Sequence, residues 1–316
     1  MLVSEYWTVE GMNVKNEKNS ELKKKNLDKM LYKHGMGKGK LLILPIDQGL
    51  EHGPMDFFAN PEAKNPEFQL KLAIEGGYSA LACHIGIAEK YWAEQKDKIP
   101  LILKVNGKTA IPSDDAAFSP LTSTVEDAVR IGATAVGYTL YVGSPAQDKD
   151  LAQLCQVRKE CTEHGLPLVV WSYPRGKAVQ EKGDRDSLYS VDYAARVAME
   201  VGADIVKLNI PKKLSGEKLE KYKTFLSKKE ETKPYLELEN ASDEERMRRV
   251  VESAGRCHVI VSGGGKVSDT DLVERTEFCL KAGVTGIVYG RNMWQRPHKE
   301  ALKMTRKVKE MMLKYT

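Results

Sequence analysis

The chain has 316 residues, 41% hydrophobic and 29% charged, with 49 basic side chains against 44 acidic ones and a formal charge of +5. This composition excludes a disordered or fibrous chain and leaves room for one large core, since parallel α/β barrels run to about 250 residues as one unit. The small basic excess lies mostly in residues 12–40 and reads as a solvated lysine-rich helix face, not a nucleic-acid surface, because no interleaved aromatics or recognition module accompany it. No apolar run approaches the roughly 20 residues of a membrane span, and the N-terminus lacks the apolar core of a signal peptide. Cys83, Cys155, Cys161, Cys257 and Cys279 are odd in number and lack CxxC spacing, which argues against a disulfide framework and a zinc site. A cytoplasmic location is expected.

Residues 1–40 predict a helix with an irregular start, an extension ahead of the repeating part. From residue 41 onward an apolar run of five to seven residues, a polar or glycine-rich break and a stretch of helical period follow one another repeatedly. The strand candidates in chain order are LLILPID, SALACHIG, PLILKVNG, TAVGYTLYVG, PLVVWSYP, ADIVKLNI, HVIVSGG and TGIVYG. Short runs of near-continuous Val, Ile and Leu mark strands buried on both faces, as in a parallel sheet. A glycine precedes several of them, in EGGYSAL, RIGATAV, EHGLPLV, EVGADIV and KAGVTGI, as expected of helix caps that lead into strands.

Eight such units predict a (β/α)8 TIM barrel rather than an open doubly wound sheet, which usually has fewer strands and leaves edges. The expected organisation is one barrel domain over residues 1–316, with the N-terminal extension at 1–40 and a final amphipathic helix at 297–316. Both ends are candidates to pack on the barrel or on a neighbouring subunit. Residues 106–122 and 211–236 form longer connections, of the kind that often contribute to a site or an interface.

Barrel active sites sit at the C-terminal ends of the strands, so the polar residues that close each apolar run carry the functional signal. Strand 1 ends in Asp47, strand 2 in His84, and strand 3 in Lys104 and Asn106. Strand 5 ends in Trp171, Tyr173 and Arg175, and strand 6 in Lys207. Asp47 is placed to hold a lysine or a substrate hydroxyl, or simply to satisfy its own turn. His52 and His84 read as structural groups, and no third ligand at suitable spacing predicts a metal.

After strand 7, Ser262, Gly263 and Gly264 open a glycine-rich turn, and after strand 8 come Gly290 and Arg291. Adjacent glycine turns at helix starts, one with a guanidinium, are suited to a phosphate. Lys207 sits inside an apolar run, where an ammonium is costly unless paired or deprotonated. Partly desolvated and near another cation, its amine would have a lowered pKa and would attack a carbonyl to form a Schiff base. Tyr173 is placed to carry protons and Arg175 to hold a second phosphate or a carboxylate. Lys104 is the rival nucleophile, and the physics of the local sequence does not choose between the two.

LPIDQGLEHGP, WSYPRG, ADIVKLN, SGGGK and GRN, in that order over residues 41–296, resemble class I fructose-bisphosphate aldolases of the archaeal or DhnA type. The resemblance implies Lys207 as the Schiff-base lysine, Tyr173 as proton donor, Asp47 as the strand-1 carboxylate, and Trp171 and Arg175 lining the site. It implies phosphate binding by Ser262, Gly263, Gly264, Gly290 and Arg291, a phosphorylated sugar substrate, no cofactor, and a homo-oligomer. The chain departs from many relatives in reading Gln48 after Asp47 and in carrying an extra glycine and Lys266 after the strand-7 turn. Related aldol transferases, which build an aminodeoxyheptulosonate or act on a phosphorylated signalling molecule, are separated from this reading by a panel of sugar phosphates. A phosphosugar isomerase without a covalent lysine is separated by imine trapping, and a basic binding protein by salt-sensitive nucleic-acid binding without aldolase activity.

Overall fold

The computed structural model describes residues 9–316, with side chains from residue 16 onward. The irregular start expected of the N-terminal extension lies outside those residues. Eight strands, β1 (Leu41–Pro45), β2 (Ala80–His84), β3 (Leu101–Lys104), β4 (Ala135–Val142), β5 (Leu168–Pro174), β6 (Ile205–Leu208), β7 (His258–Ser262) and β8 (Gly286–Val288), pair in sequence order, all parallel. Leu41 pairs with Gly286, so β8 closes on β1 and the sheet has no edge.

The outer helices are α2 (Pro66–Glu75), α3 (Val125–Ile131), α4 (Gln147–Glu163), α5 (Leu188–Glu200), α6 (Asp243–Ser253), α7 (Asp269–Lys281) and α8 (His298–Leu313), preceded in the chain by α1 (Val9–Asp28). Between β2 and β3 the helical path is broken into short pieces over residues 85–95. The C-terminal helix α8 follows β8 and packs between α7 and α2, completing the ring. Helix starts are chemically marked: Thr124 and Asp127 form a capping box on α3, and Ser242 and Glu245 form one on α6. The expected glycine caps Gly77, Gly132, Gly165, Gly202 and Gly283 all take positive φ, the conformation that turns a helix end toward the next strand.

Side chains alternate across each strand, as a period of two requires. Leu41, Ile43, Ala80, Ala82, Ile102, Ala135, Val169, Trp171, Ile205, Ile260 and Val288 pack together inside the barrel. Their neighbours, such as Leu42, Leu81, Leu103, Val136, Val170, Val206 and Val261, face the helices in the larger outer core. The same parity carries Lys104, Tyr173, Lys207 and Ser262 inward near the carboxyl ends of their strands, and Thr139 inward in the middle of β4.

The opposite end of the barrel is plugged. Asn19 and Asn26 donate to the carbonyls of Glu163 and Gly165, and Lys23 pairs with Asp204, which lays α1 across the amino ends of β5 and β6. Leu27, Met30 and Leu31 then join the interior cluster, while Lys18, Lys24 and Lys25 stay exposed. Met30 is completely buried there. Met30→Ala is expected to lower unfolding stability by about 2–5 kcal/mol through the cavity it leaves at the plug. Urea unfolding checks this, and a loss well under 1 kcal/mol would show that the plug is loosely held.

The connection after β6 is more ordered than its sequence predicts. Helices Gly216–Leu226 and Lys233–Glu239 fold within it, and Leu214, Tyr222 and Leu226 form a small satellite core against Tyr189 of α5. Residues 107–120, after β3, form neither helix nor strand.

Candidate active site

At the mouth of the barrel the strand ends enclose a cavity of about 590 Å³. Lys104 is buried beneath it. The Lys104 ammonium, fully buried, donates to Glu51 Oε1 at 2.7 Å, Thr139 Oγ1 at 2.9 Å and Asp47 Oδ2 at 3.3 Å, and lies 4.5 Å from the centre of the Trp171 ring. Gly137 on β4 makes this possible. A Cβ there would sit 2.9 Å from both Lys104 Cδ and Trp171 Cζ3, too close for either to keep its place. Burial alone would lower the Lys104 pKa, but the Glu51 and Asp47 charges and the Glu51 hydrogen bond outweigh it and push it above the ordinary lysine range. Asp47, buried and facing Lys104, Lys207 and His84, is held below the usual carboxylate range against the opposing effect of burial.

Lys207 has different surroundings. Its Nζ lies 2.5 Å from Tyr173 Oη and 5.5 Å from the centre of the same Trp171 ring, and it makes no ion pair within 4 Å among the described residues. Desolvation by burial lowers its pKa to about 8. Lys104 and Arg291 add to that effect, and Asp47 and Glu51 oppose it. Tyr173, one strand away, has its phenol pKa raised, chiefly by desolvation and then by Glu51. The register pairs Trp171 with Lys207, so Tyr173 stands one layer above and leans over the amine. Two lysines therefore share one aromatic face, one locked as an ammonium by two carboxylates and the other left as the more easily deprotonated amine. Their ionic surroundings thus separate two amines that look alike in local sequence.

Around the mouth, Ser262, Gly263, Gly264, Gly290 and Arg291 line the same cavity as Asp47, Tyr173 and Lys207. Ser262 Oγ donates to Asn209 Oδ1 at 3.0 Å. Asn292 shapes the glycine turn by donating to the carbonyls of Gly263 and Gly265 and accepting from the Val267 N–H. Arg291 is steered by Asp56, whose Oδ2 lies 3.6 Å from the guanidinium and 2.8 Å from His52 Nδ1. His52 is thus a hydrogen-bonded structural group. Across the mouth, Arg175 packs over the Tyr173 and Tyr141 rings and donates to the Pro174 carbonyl.

Of the candidate residues of the sequence reading, Asp47, Tyr173, Arg175, Lys207, Ser262, Gly263, Gly264, Gly290 and Arg291 line the cavity, while Lys104 and Trp171 are fully buried beneath it. Several neighbours escaped that reading. Glu51 is the shortest partner of Lys104 and lies one helical turn after Asp47, on the short helix Gln48–Glu51. That spacing of four residues was a legible signal. Thr139 was hidden because β4 runs on past it for three more residues, so it does not close its strand. Lys108, Asp114 and Arg185 sit in irregular segments with no periodicity to point to them.

Comparison with known proteins places these features in context. Residues 41–296 match the model of the DeoC/LacD family aldolases. The class 1 fructose-bisphosphate aldolase of Thermoproteus tenax is 39% identical over 276 residues, covering 87% of this chain and 90% of that protein. The class 1 enzyme of Halobacterium salinarum is 36% identical over 263 residues, covering 83% and 87%. Among solved structures, an archaeal fructose-1,6-bisphosphate aldolase with its catalytic lysine covalently bound to the carbinolamine intermediate is similar at a TM-score of 0.74 and 35% identity. That match covers 92% of this chain and 100% of the other.

Proposed function

The chain belongs to the DeoC/LacD family of aldolases, and on that premise we infer that it is a class I fructose-bisphosphate aldolase. It cleaves fructose 1,6-bisphosphate reversibly to dihydroxyacetone phosphate and glyceraldehyde 3-phosphate, a step of glycolysis and gluconeogenesis, through a Schiff base. The observation that carries this reading is the desolvated Lys207 amine, with a pKa lowered to about 8, standing 2.5 Å from the Tyr173 hydroxyl.

In this reading the neutral amine of Lys207 attacks the C2 ketone, and loss of water gives a protonated imine. The imine accepts the electron pair of the C3–C4 bond as it breaks, while a base takes the proton of the C4 hydroxyl. Tyr173 is the group within reach of both the imine nitrogen and the sugar chain, and Asp47 assists at the floor. The Ser262, Gly263, Gly264, Gly290 and Arg291 rim takes the phosphate next to the ketone, with Arg175 on the far side for the second. Trp171 supports both lysines and offers a buried Nε1–H that has no partner among the described residues.

Among the described residues no helix is long and apolar enough to cross a membrane, and all five cysteines are free. Free thiols favour a cytoplasmic enzyme, and we take it to act as a homo-oligomer on a phosphorylated sugar without a cofactor.

Borohydride trapping with fructose 1,6-bisphosphate or dihydroxyacetone phosphate, followed by peptide mass spectrometry, tests the mechanism. The expected adduct is on Lys207. An adduct on Lys104 would move the nucleophile to β3, and none with either substrate would end the Schiff-base reading. A second expectation concerns pH. The attacking form is the neutral amine, so kcat/KM should rise with pH and level off above about 8. A profile flat from about pH 6 to pH 9 would contradict a free-amine nucleophile of this pKa.

A further inference from the structure

A cluster on the far rim enters the reaction as described only through Arg175. Asp114, on the irregular segment after β3, places Oδ1 2.9 Å from Lys108 Nζ and Oδ2 3.0 Å from Arg175 Nε and 3.5 Å from the Arg185 guanidinium. Three cations meet one carboxylate, so two positive charges are left uncompensated at the edge of the cavity. All four residues line it. β3 lies across the closed barrel from β7, and β5 is separated from β7 by β6, while the glycine turns and Arg291 follow β7 and β8. Lys207 on β6 and Tyr173 on β5 stand near the catalytic centre between the two cationic rims.

Arg175 and Arg185 have fixed neighbours besides Asp114. Arg175 donates to the Pro174 carbonyl at 2.8 Å and covers the Tyr173 and Tyr141 rings. Arg185 is bracketed by Asp184, paired with Lys218, and by Asp186, which takes Lys212 at 2.7 Å and Asn209 Nδ2 at 2.8 Å. Lys108 is mostly covered, with 14% of its side chain exposed. Asp114 is more open than Lys108 and Arg175: its side chain is 40% exposed, against 44% for Arg185, on a segment whose Ile111 is 91% exposed. Burial would raise its pKa, but the hydrogen bond from Lys108 and the charges of Arg175, Lys108 and Arg185 hold it below the usual range, so it is ionised at neutral pH.

A carboxylate bridging two guanidiniums and an ammonium presents the same oxygen pattern as one face of a phosphate. We propose that Asp114 is a place-holder for the distal phosphate of the sugar, occupying Lys108, Arg175 and Arg185 until the phosphate takes them, and so limits how strongly a bisphosphate is preferred over a monophosphate. The proposal rests on the aldolase reading above. Asp114 is then a specificity-determining residue that acts through the three cations. Its return to them helps expel glyceraldehyde 3-phosphate, the product that carries the distal phosphate away.

The test compares fructose 1,6-bisphosphate with fructose 1-phosphate, which lacks only the distal phosphate, as substrates of the full-length enzyme and of Asp114→Asn and Asp114→Ala. Removing the competing carboxylate should raise the ratio of the two kcat/KM values by about three- to tenfold, the scale of losing a few partly exposed ion pairs. The gain should appear as a lower KM for the bisphosphate. A ratio that stays the same in both variants would overturn the proposal and leave Asp114 a spectator. A ratio that falls would also overturn it and make Asp114 a scaffold that the cations need. A wild-type enzyme that cleaves neither sugar would overturn the aldolase reading instead, and this proposal with it.

Discussion

Replacing Lys207 with Met is expected to lower turnover by on the order of 10⁴-fold or more, the scale seen when a covalent nucleophile is removed. The protein should remain folded. Met fills nearly the volume of the lysine stem, and the group removed is one whose charge the fold disfavours. The sign follows from linkage. Lys207 has a folded-state pKa of about 8 against an ordinary value of 10.5, so the unfolded chain binds more protons between those values and stability rises with pH across that window. Below about pH 8 the native state bears the full cost of the buried ammonium. Lys207→Met should therefore be at least as stable as the wild type near pH 7 and should lack this alkaline gain. Urea unfolding at pH 7 and pH 9.5, with borohydride trapping on the same samples, separates loss of chemistry from loss of fold. A folded variant that still cleaves the sugar at a substantial rate would remove Lys207 from the mechanism.

Lys104→Met is expected to do the opposite to stability. Asp47 and Glu51 would lose the cation between them, and breaking a buried ion network from one side costs about 3–5 kcal/mol. The same change should alter the chemistry without touching the nucleophile. Lys104 is one of the cations that lower the Lys207 pKa, and its two carboxylates act the other way. Without it Lys207 should hold its proton more tightly, so the acid limb of kcat/KM moves to higher pH and activity at pH 7 falls. Adding Glu51→Gln removes one stranded carboxylate and should recover part of both losses, a coupling that a double-mutant cycle reads directly. A Lys104→Met enzyme as stable as the wild type, with an unmoved acid limb, would mean that this network does not tune Lys207.

Much of this architecture is legible in the chain. Runs such as LLILP and IVKL, buried along their whole length, announce strands covered on both faces. The glycines before them announce where helices stop. Since side chains alternate along a strand, Lys207 two residues after Ile205, and Tyr173 two after Trp171, are committed to the lumen once the barrel closes. The glycine-rich turns after β7 and β8 were also readable, because turns of that kind at strand ends have few other uses in this fold.

The limits of that reading are just as specific. Lys104 and Lys207 look alike in sequence, each an amine at the end of an apolar run, and nothing local separates them. They differ because Glu51, 53 positions before Lys104, and Thr139, 35 positions after it, converge on one ammonium and leave the other unpaired. Asp114, Arg175 and Arg185 likewise meet because the segments after β3 and β5 come together over β4. Hydrophobic periodicity is a short-range property, written into neighbouring residues, so it carries the identity and order of the elements. Charge interactions depend on separation in space and on exclusion of water, and both arise only when distant segments pack. The chain thus settles the barrel and the side of each strand that faces inward, and the packed structure decides which inward lysine is paired with carboxylates and which is not.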